Sequence, residues 1–135
     1  MKVSNIGMIA AVLVSGAAFA EDAPVDVREI RGKALYEEHC ATCHQFDGGG
    51  VPMLQPELIG KPRANGPIGG VIDMILFGSA AMKPTDDDYA NEMPSFGHLS
   101  DKDIALIATY VRTHFDNAGG LVTGDDVRDR RPASD

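Results

Sequence analysis

Apolar residues recur at helical spacing in three stretches of the chain. In VREIRGKALYEEH, Val27 to His39, Ile30, Ala34 and Leu35 share one side with Tyr36 beside them, and Glu29, Lys33, Glu37 and Glu38 fill the polar remainder. That pattern predicts a helix packed on one face. Gly32 falls inside it, where glycine costs about 1 kcal/mol relative to alanine. A close approach of another backbone would account for it, with a tolerated surface glycine as the alternative. Gly70 to Gly78, GVIDMILFG, offers Val71, Met74, Ile75 and Phe77 to a core and predicts a short helix, a buried strand being the competing reading. The third stretch follows Ser100, with Ile104, Ile107, Ala108, Val111 and Phe115 in register. Ser100 can cap this helix, Asp103 sits three residues on, and Asp101 and Asp103 suit its positive end. Asn117, Gly119 and Gly120 close it.

Between these elements the composition changes. Phe46 to Gly70 is rich in glycine and proline and cannot sustain a regular element. Val51, Met53, Leu54, Leu58 and Ile59 nevertheless need cover, so an ordered loop is expected, and a loop of this length usually wraps or binds something. The stretch from Ser79 to Leu99 is polar and turn-rich, and Asp86 to Asp88 read most simply as a solvated face. The segment 121–135 is expected to be a polar, peripheral tail.

The beginning of the chain has a different pattern. Residues 1–20 combine Lys2, an apolar run from Ile6 to Val14, and small residues Ala18 and Ala20, which is the make-up of a secretory signal peptide. Ser15 and Gly16 interrupt the run, which is short for a hydrocarbon core of roughly 30 Å. Residues 21–26 form an acidic leader, and 27–120 are left as one small domain. The whole chain of 135 residues has a formal charge of −8. Removing residues 1–20 leaves eleven Lys and Arg against twenty Asp and Glu. Such a balance disfavours nucleic acid as a partner, and no stable membrane insertion is expected of the mature domain.

Both cysteines lie in CATCH, Cys40 to His44. A disulfide between them would close a tiny loop and tie nothing distant together. C-x-x-C-H is the spacing for covalent attachment of a c-type haem. Two thiols one helical turn apart can form thioethers along one porphyrin edge, and the following imidazole of His44 can reach the iron. A thioredoxin-like dithiol is a weaker reading, because such pairs open a helix after a strand. Zinc would need ligands beyond two thiols, drawn irregularly from His44, His98 or His114.

Iron held by one histidine has a second axial position, and a thioether there would favour the ferrous state and reversible electron transfer. Met53, Met74, Met82 and Met93 are the methionines after residue 20. Met93 in NEMPSFGHL is favoured: Pro94 restrains the chain, Phe96 can cover the haem, and the helix starting after Ser100 fixes the far end. Met82, His98 or an open position are the alternatives. His39 and His114 are expected on helix surfaces, and Lys83 and Arg112 receive no functional role.

With CATCH, EMPSF and the closing IALIATYVRTHF together, the chain resembles the class I mono-haem cytochromes c over about Arg31 to Asn117. The run from Leu99 to Arg131 is similar to the haem domains in cytochrome subunits of periplasmic dehydrogenases that oxidise alcohols or sugar acids. The resemblance implies an all-α fold with N- and C-terminal helices crossing and long loops around one haem c. It implies that Gly32 and Tyr36 meet Tyr110, that the Pro56 carbonyl accepts a hydrogen bond from His44, and that Leu58 lies against the macrocycle. The familiar closing Trp-Gly-Asn is replaced by Phe115, Asp116 and Asn117. The function then expected is a periplasmic one-electron carrier that docks on positively charged redox proteins, with Asp86 to Asp88 as one candidate contact. A haem subunit fixed in a larger dehydrogenase, or an open-iron enzyme acting on peroxide or a small ligand, are the alternatives. The sequence leaves the oligomeric state undetermined.

Overall fold

The computed structural model describes residues 25–82 and 89–133, with side chains from residue 27 onward. Residues 1–20, expected to be a signal peptide, leader residues 21–24, Lys83 and Asp86 to Asp88 lie outside the described residues. Six α-helices follow in order: α1 (Val25–His39), α2 (Ala41–His44), α3 (Pro62–Asn65), α4 (Ile68–Phe77), α5 (Asp101–Thr113) and α6 (Gly124–Arg128), with a 3-10 turn at Ser79–Ala81. Among the described residues the β structure is one antiparallel bridge, Val51 to Gln55. The fold is all-α, as expected, and α1 begins two residues earlier than its apolar pattern.

α1 crosses α5 on a face that the apolar spacing did not indicate. Ile30 is 68% exposed, whereas Tyr36 is fully buried, and Ala34 is exposed too. The inward face is instead Gly32, Tyr36 and Cys40, spaced by four. A Cβ on Gly32 would stand 2.8 Å from the Leu106 carbonyl oxygen and 3.2 Å from Tyr110 Cβ. Glycine is therefore required by the approach of α5, and the surface-glycine alternative falls. Just beyond it, the Tyr36 ring packs 5.4 Å from that of Tyr110 and 5.1 Å from that of Phe115. Its hydroxyl donates to the Gln45 carbonyl at 2.6 Å, which joins the crossing to the end of the CATCH turn.

α5 follows the sequence closely. The Ser100 hydroxyl accepts from the Asp103 N–H at 3.1 Å, and Ile104, Ile107, Ala108 and Val111 are buried. α4 contributes Ile72 and Leu76 to the same core. Fully burying each such aliphatic side chain contributes roughly 1.5–3 kcal/mol before entropy is counted.

The tail is not peripheral. Thr123 and Asp126 form a capping box that starts α6, Val122 and Val127 are buried, and α6 packs on α5 and α4. Arg130 pairs with Asp73 of α4 through both carboxylate oxygens. Its few apolar residues misled the sequence reading, because two valines and a set of guanidinium contacts suffice to dock so short a segment.

Two buried polar side chains fasten the loops. Arg112 donates to the carbonyls of Gly66 (2.9 Å), Gly120 (3.3 Å) and Gly119. Asn117 donates to the Leu58 carbonyl at 3.0 Å and the Val111 carbonyl at 2.8 Å, and accepts from the Asn65 amide at 2.8 Å. Neither role was visible in the sequence, where Asn117 read only as a helix stop.

Candidate functional site

CATCH forms one tight helical turn. Cys40 caps α2, and the N–H groups of Cys43 and His44 donate to its carbonyl at 3.1 and 2.9 Å. Gln45 at φ 65° ends the turn. Cys40 is buried and Cys43 exposed, so the two thiols differ in access although they lie on one short helix.

The chain then doubles back beneath His44. Gly50 donates to the His44 carbonyl at 2.9 Å and adopts φ +62°, and a Cβ on it would come within 2.6 Å of the Gln55 and Pro56 carbonyl oxygens. This turn sets the Pro56 carbonyl 2.9 Å from His44 Nδ1, the hydrogen bond the resemblance implied. His44 is buried, and burial lowers its pKa against the smaller opposing effect of the Pro56 contact. Burial thus favours the neutral ring; because the Pro56 carbonyl can only accept, Nδ1 donates its N–H to it, and in the neutral ring Nε2 carries the lone pair that can bind a metal.

His44 lines a cavity of about 390 Å³, within the range of small-molecule and cofactor sites. Cys40, Pro56 and Leu58 lie on its wall beside His44, Ile107 and Val111 of α5 form another part, Met74, Ile75 and Met93 a third, and charged residues such as Lys61, Arg63 and Glu92 also border it. Neither Cys43 nor Phe96 lines this cavity. Phe96 is half-buried, 6.0 Å from the His39 ring and 6.2 Å from that of His98. Of the methionines weighed for the second axial position, Met53 is exposed, and neither it nor Met82 borders the cavity; His98 is exposed and outside the lining as well. Met74 does border it, although the sequence reading placed it in ordinary core.

Met93 has the more determined backbone. Its N–H donates to Ser79 Oγ at 2.9 Å, and its carbonyl accepts from the Ser79 N–H at 3.0 Å. Gly78, at φ +75°, makes this possible, since a Cβ there would lie 2.5 Å from the Met93 carbonyl oxygen. A glycine directly after the last helical residue is a signal the sequence did carry; its link to Met93 was not legible.

The Cys40 thiol does not have the character of a reactive redox cysteine. Burial, reinforced by Cys43, pushes the Cys40 thiol up to about 12, opposite to the depressed values of reactive cysteines. Among the described residues no three His, Cys, Asp or Glu side chains converge to hold a metal, so a zinc site has no ligand set. A neutral buried imidazole, two thiols beside it and an apolar cavity of this size fit a large flat porphyrin.

Fold and cavity define a small helical protein built around one largely apolar cavity. The chain belongs to the cytochrome c family, which it matches over residues 30–115. It is 39% identical over 109 residues to the fructose dehydrogenase cytochrome subunit of Gluconobacter japonicus, an alignment covering 74% of this chain and 22% of that one. The cytochrome c subunit of the quinone alcohol dehydrogenase of Gluconobacter oxydans (strain 621H) is 32% identical over 104 residues, again 74% of this chain and 22% of the other. Cytochrome c-555 of Chlorobaculum tepidum is 44% identical over 54 residues, 40% of this chain and 44% of its own length. The chain thus spans little more than a fifth of the length of those dehydrogenase subunits. Cytochrome c domains serve as electron carriers or electron-transfer subunits and are not themselves catalytic centres.

Proposed function

We propose that this chain is a haem c electron-transfer module serving a larger dehydrogenase in the periplasm. The observation that carries the reading is His44, buried, neutral and hydrogen-bonded to Pro56, on the wall of an apolar cavity that Met93 also borders. Each thiol, of Cys40 and of Cys43, would add across one vinyl group, with a C–S bond at one carbon and hydrogen at the other, so that no oxidant is consumed. His44 and Met93 would hold the haem iron. When bound, the haem supplies one-electron ferric/ferrous chemistry.

The chain's own residues then do three things. Pro56 fixes the imidazole and strengthens it as a donor. Ser79 holds the backbone of Met93, so little needs to rearrange between oxidation states. Leu58, Ile75 and Ile107 keep water from the ring. No residue acts as an acid or base.

The dehydrogenase association rests on similarity to cytochrome subunits of fructose and alcohol dehydrogenases. The periplasmic location rests on residues 1–20 together with the export that covalent haem attachment requires. Among the described residues no helix is long and apolar enough to cross a membrane. A freely diffusing carrier is the second reading. In either case the acidic balance suits a positively charged docking surface, and association should weaken with added salt. Affinity purification from the native periplasm decides between the two: a catalytic subunit retained in stoichiometric amount supports the fixed subunit, and a lone monomer supports the carrier. Spectra of the purified protein and of Met93→Ala test the ligands. Loss of the methionine-to-ferric charge-transfer band and a lower potential are expected, and an unchanged spectrum rejects Met93.

A further inference from the structure

Met93 lies in the described segment 89–100, which has no regular element before α5 begins at Asp101. Its near end is held by Ser79. Its middle is tied by Ser95, whose hydroxyl donates to the Leu76 carbonyl at 2.5 Å. Its far end is gripped by a residue more than thirty positions away in sequence, on the segment that follows α6. Arg131 donates from Nη1 to the Gly97 carbonyl and from Nη2 to the Leu99 carbonyl, both at 2.6 Å, and from Nε to Asp101 Oδ1 at 2.5 Å. A planar guanidinium can make three such bonds in one geometry, and an ammonium cannot.

Arg131 is half-buried, with its side chain 29% exposed, and it lies beyond residues 30–115 that match the family. α6 does not depend on it for docking, because Val127 is fully buried and the Thr123–Asp126 box forms independently. Three well-directed donors from a partly buried cation on two carbonyls and a carboxylate exceed what docking the last residues requires. They join the segment of Met93, the start of α5 and the end of α6 at one point.

We propose that Arg131 is a positioning residue for the sixth ligand, a latch that holds the 93–100 segment in place and with it Met93 at the cavity wall. The inference rests on Met93 being that ligand. With the latch removed, the segment opens more often and Met93 leaves the iron more often. An added ligand binds only the open form, so its apparent affinity rises in proportion to the open fraction.

The test uses the exported, haem-loaded full chain and imidazole as the probe of the ferric protein. Arg131→Gln should bind imidazole about tenfold more tightly and lose the charge-transfer band at lower pH, with Arg131→Lys intermediate. Arg128→Gln is the control, since Arg128 pairs only with Asp125 on the exposed side of the same helix and should leave imidazole binding unchanged. In a Met93→Ala background, adding Arg131→Gln should change nothing further, because the ligand it positions is gone. If Arg131→Gln and Arg131→Lys both bind imidazole as the parent does, or if the Arg131→Gln gain persists in Met93→Ala, the latch is overturned. A Met93→Ala protein that keeps the band removes the ligand reading itself, an outcome distinct from failure of the latch alone.

Discussion

The half of the molecule that carries His44 and the half that carries Met93 are held by contacts of different reach. His44 is fixed from nearby in sequence: its backbone by Cys40 and Gly50, its ring by Pro56. Met93 is held by Ser79 across 14 residues, close to the 12 between His44 and Pro56, but its segment is also tied over longer spans, by Ser95 to Leu76 across 19 residues and by Arg131 to Gly97 across 34. Local contacts cost little loop-closure entropy and form with the turn itself, whereas distant ones exist only once the whole fold is assembled. The histidine side should therefore be a fixed grip and the methionine side a releasable one.

The strongest way to break this contrast acts at the helix crossing that supports the CATCH turn. Gly32→Val would drive side-chain atoms into the Leu106 carbonyl, and α1 cannot retreat without moving Tyr36. A loss of about 3 kcal/mol is expected from such overpacking, read as a lower denaturant midpoint with unchanged slope. Asn117→Ala comes next. It leaves the Leu58 and Val111 carbonyls without their amide partner, and should cost about 2 kcal/mol while slackening the loop beside His44.

Ser79→Ala sharpens the comparison from the other side. It removes one hydrogen bond to the Met93 N–H, at about 1 kcal/mol of global stability. Its effect on the charge-transfer band should nonetheless exceed that of Asn117→Ala, although Asn117→Ala costs more stability. Equal loss of the band in both variants would erase the distinction between the two halves.

The smallest effect is on the acid limb. Hydrogen bonds from Thr123 hold the Asp126 carboxyl below its ordinary pKa, so its contribution is present above the unfolded value and is lost as pH falls through the folded one. Stability measured from about pH 5 to about pH 3 should therefore fall less steeply in Asp126→Asn than in the parent. Parallel curves would show that the box does not help to hold α6.

The same division decides what the sequence made legible. CATCH, the Ser100 cap and the apolar register of α5 are local patterns, and each lies where the spacing placed it except Phe115, which falls beyond the end of α5 at Thr113 with φ 57°. α1 was found, but its buried face was misassigned: a helix that approaches another through glycine and one tyrosine does not display an apolar stripe, and Ile30 displayed one that solvent covers. The docking of the tail, the clamps of Arg112 and Asn117 and the pinning of Met93 by Ser79 join residues remote in sequence. Each of those polar side chains is compatible with an exposed loop until the fold brings its partners together.

The central claim is that Cys40 and Cys43 attach the haem that His44 binds. The most direct measurement is mass spectrometry of the exported, unfolded protein after thiol alkylation. The account predicts a chain whose mass includes one haem, with neither Cys40 nor Cys43 alkylated and both thioether links found on the CATCH peptide. A chain of bare polypeptide mass with two alkylated cysteines, obtained from a host that matures other c-type cytochromes, would contradict it.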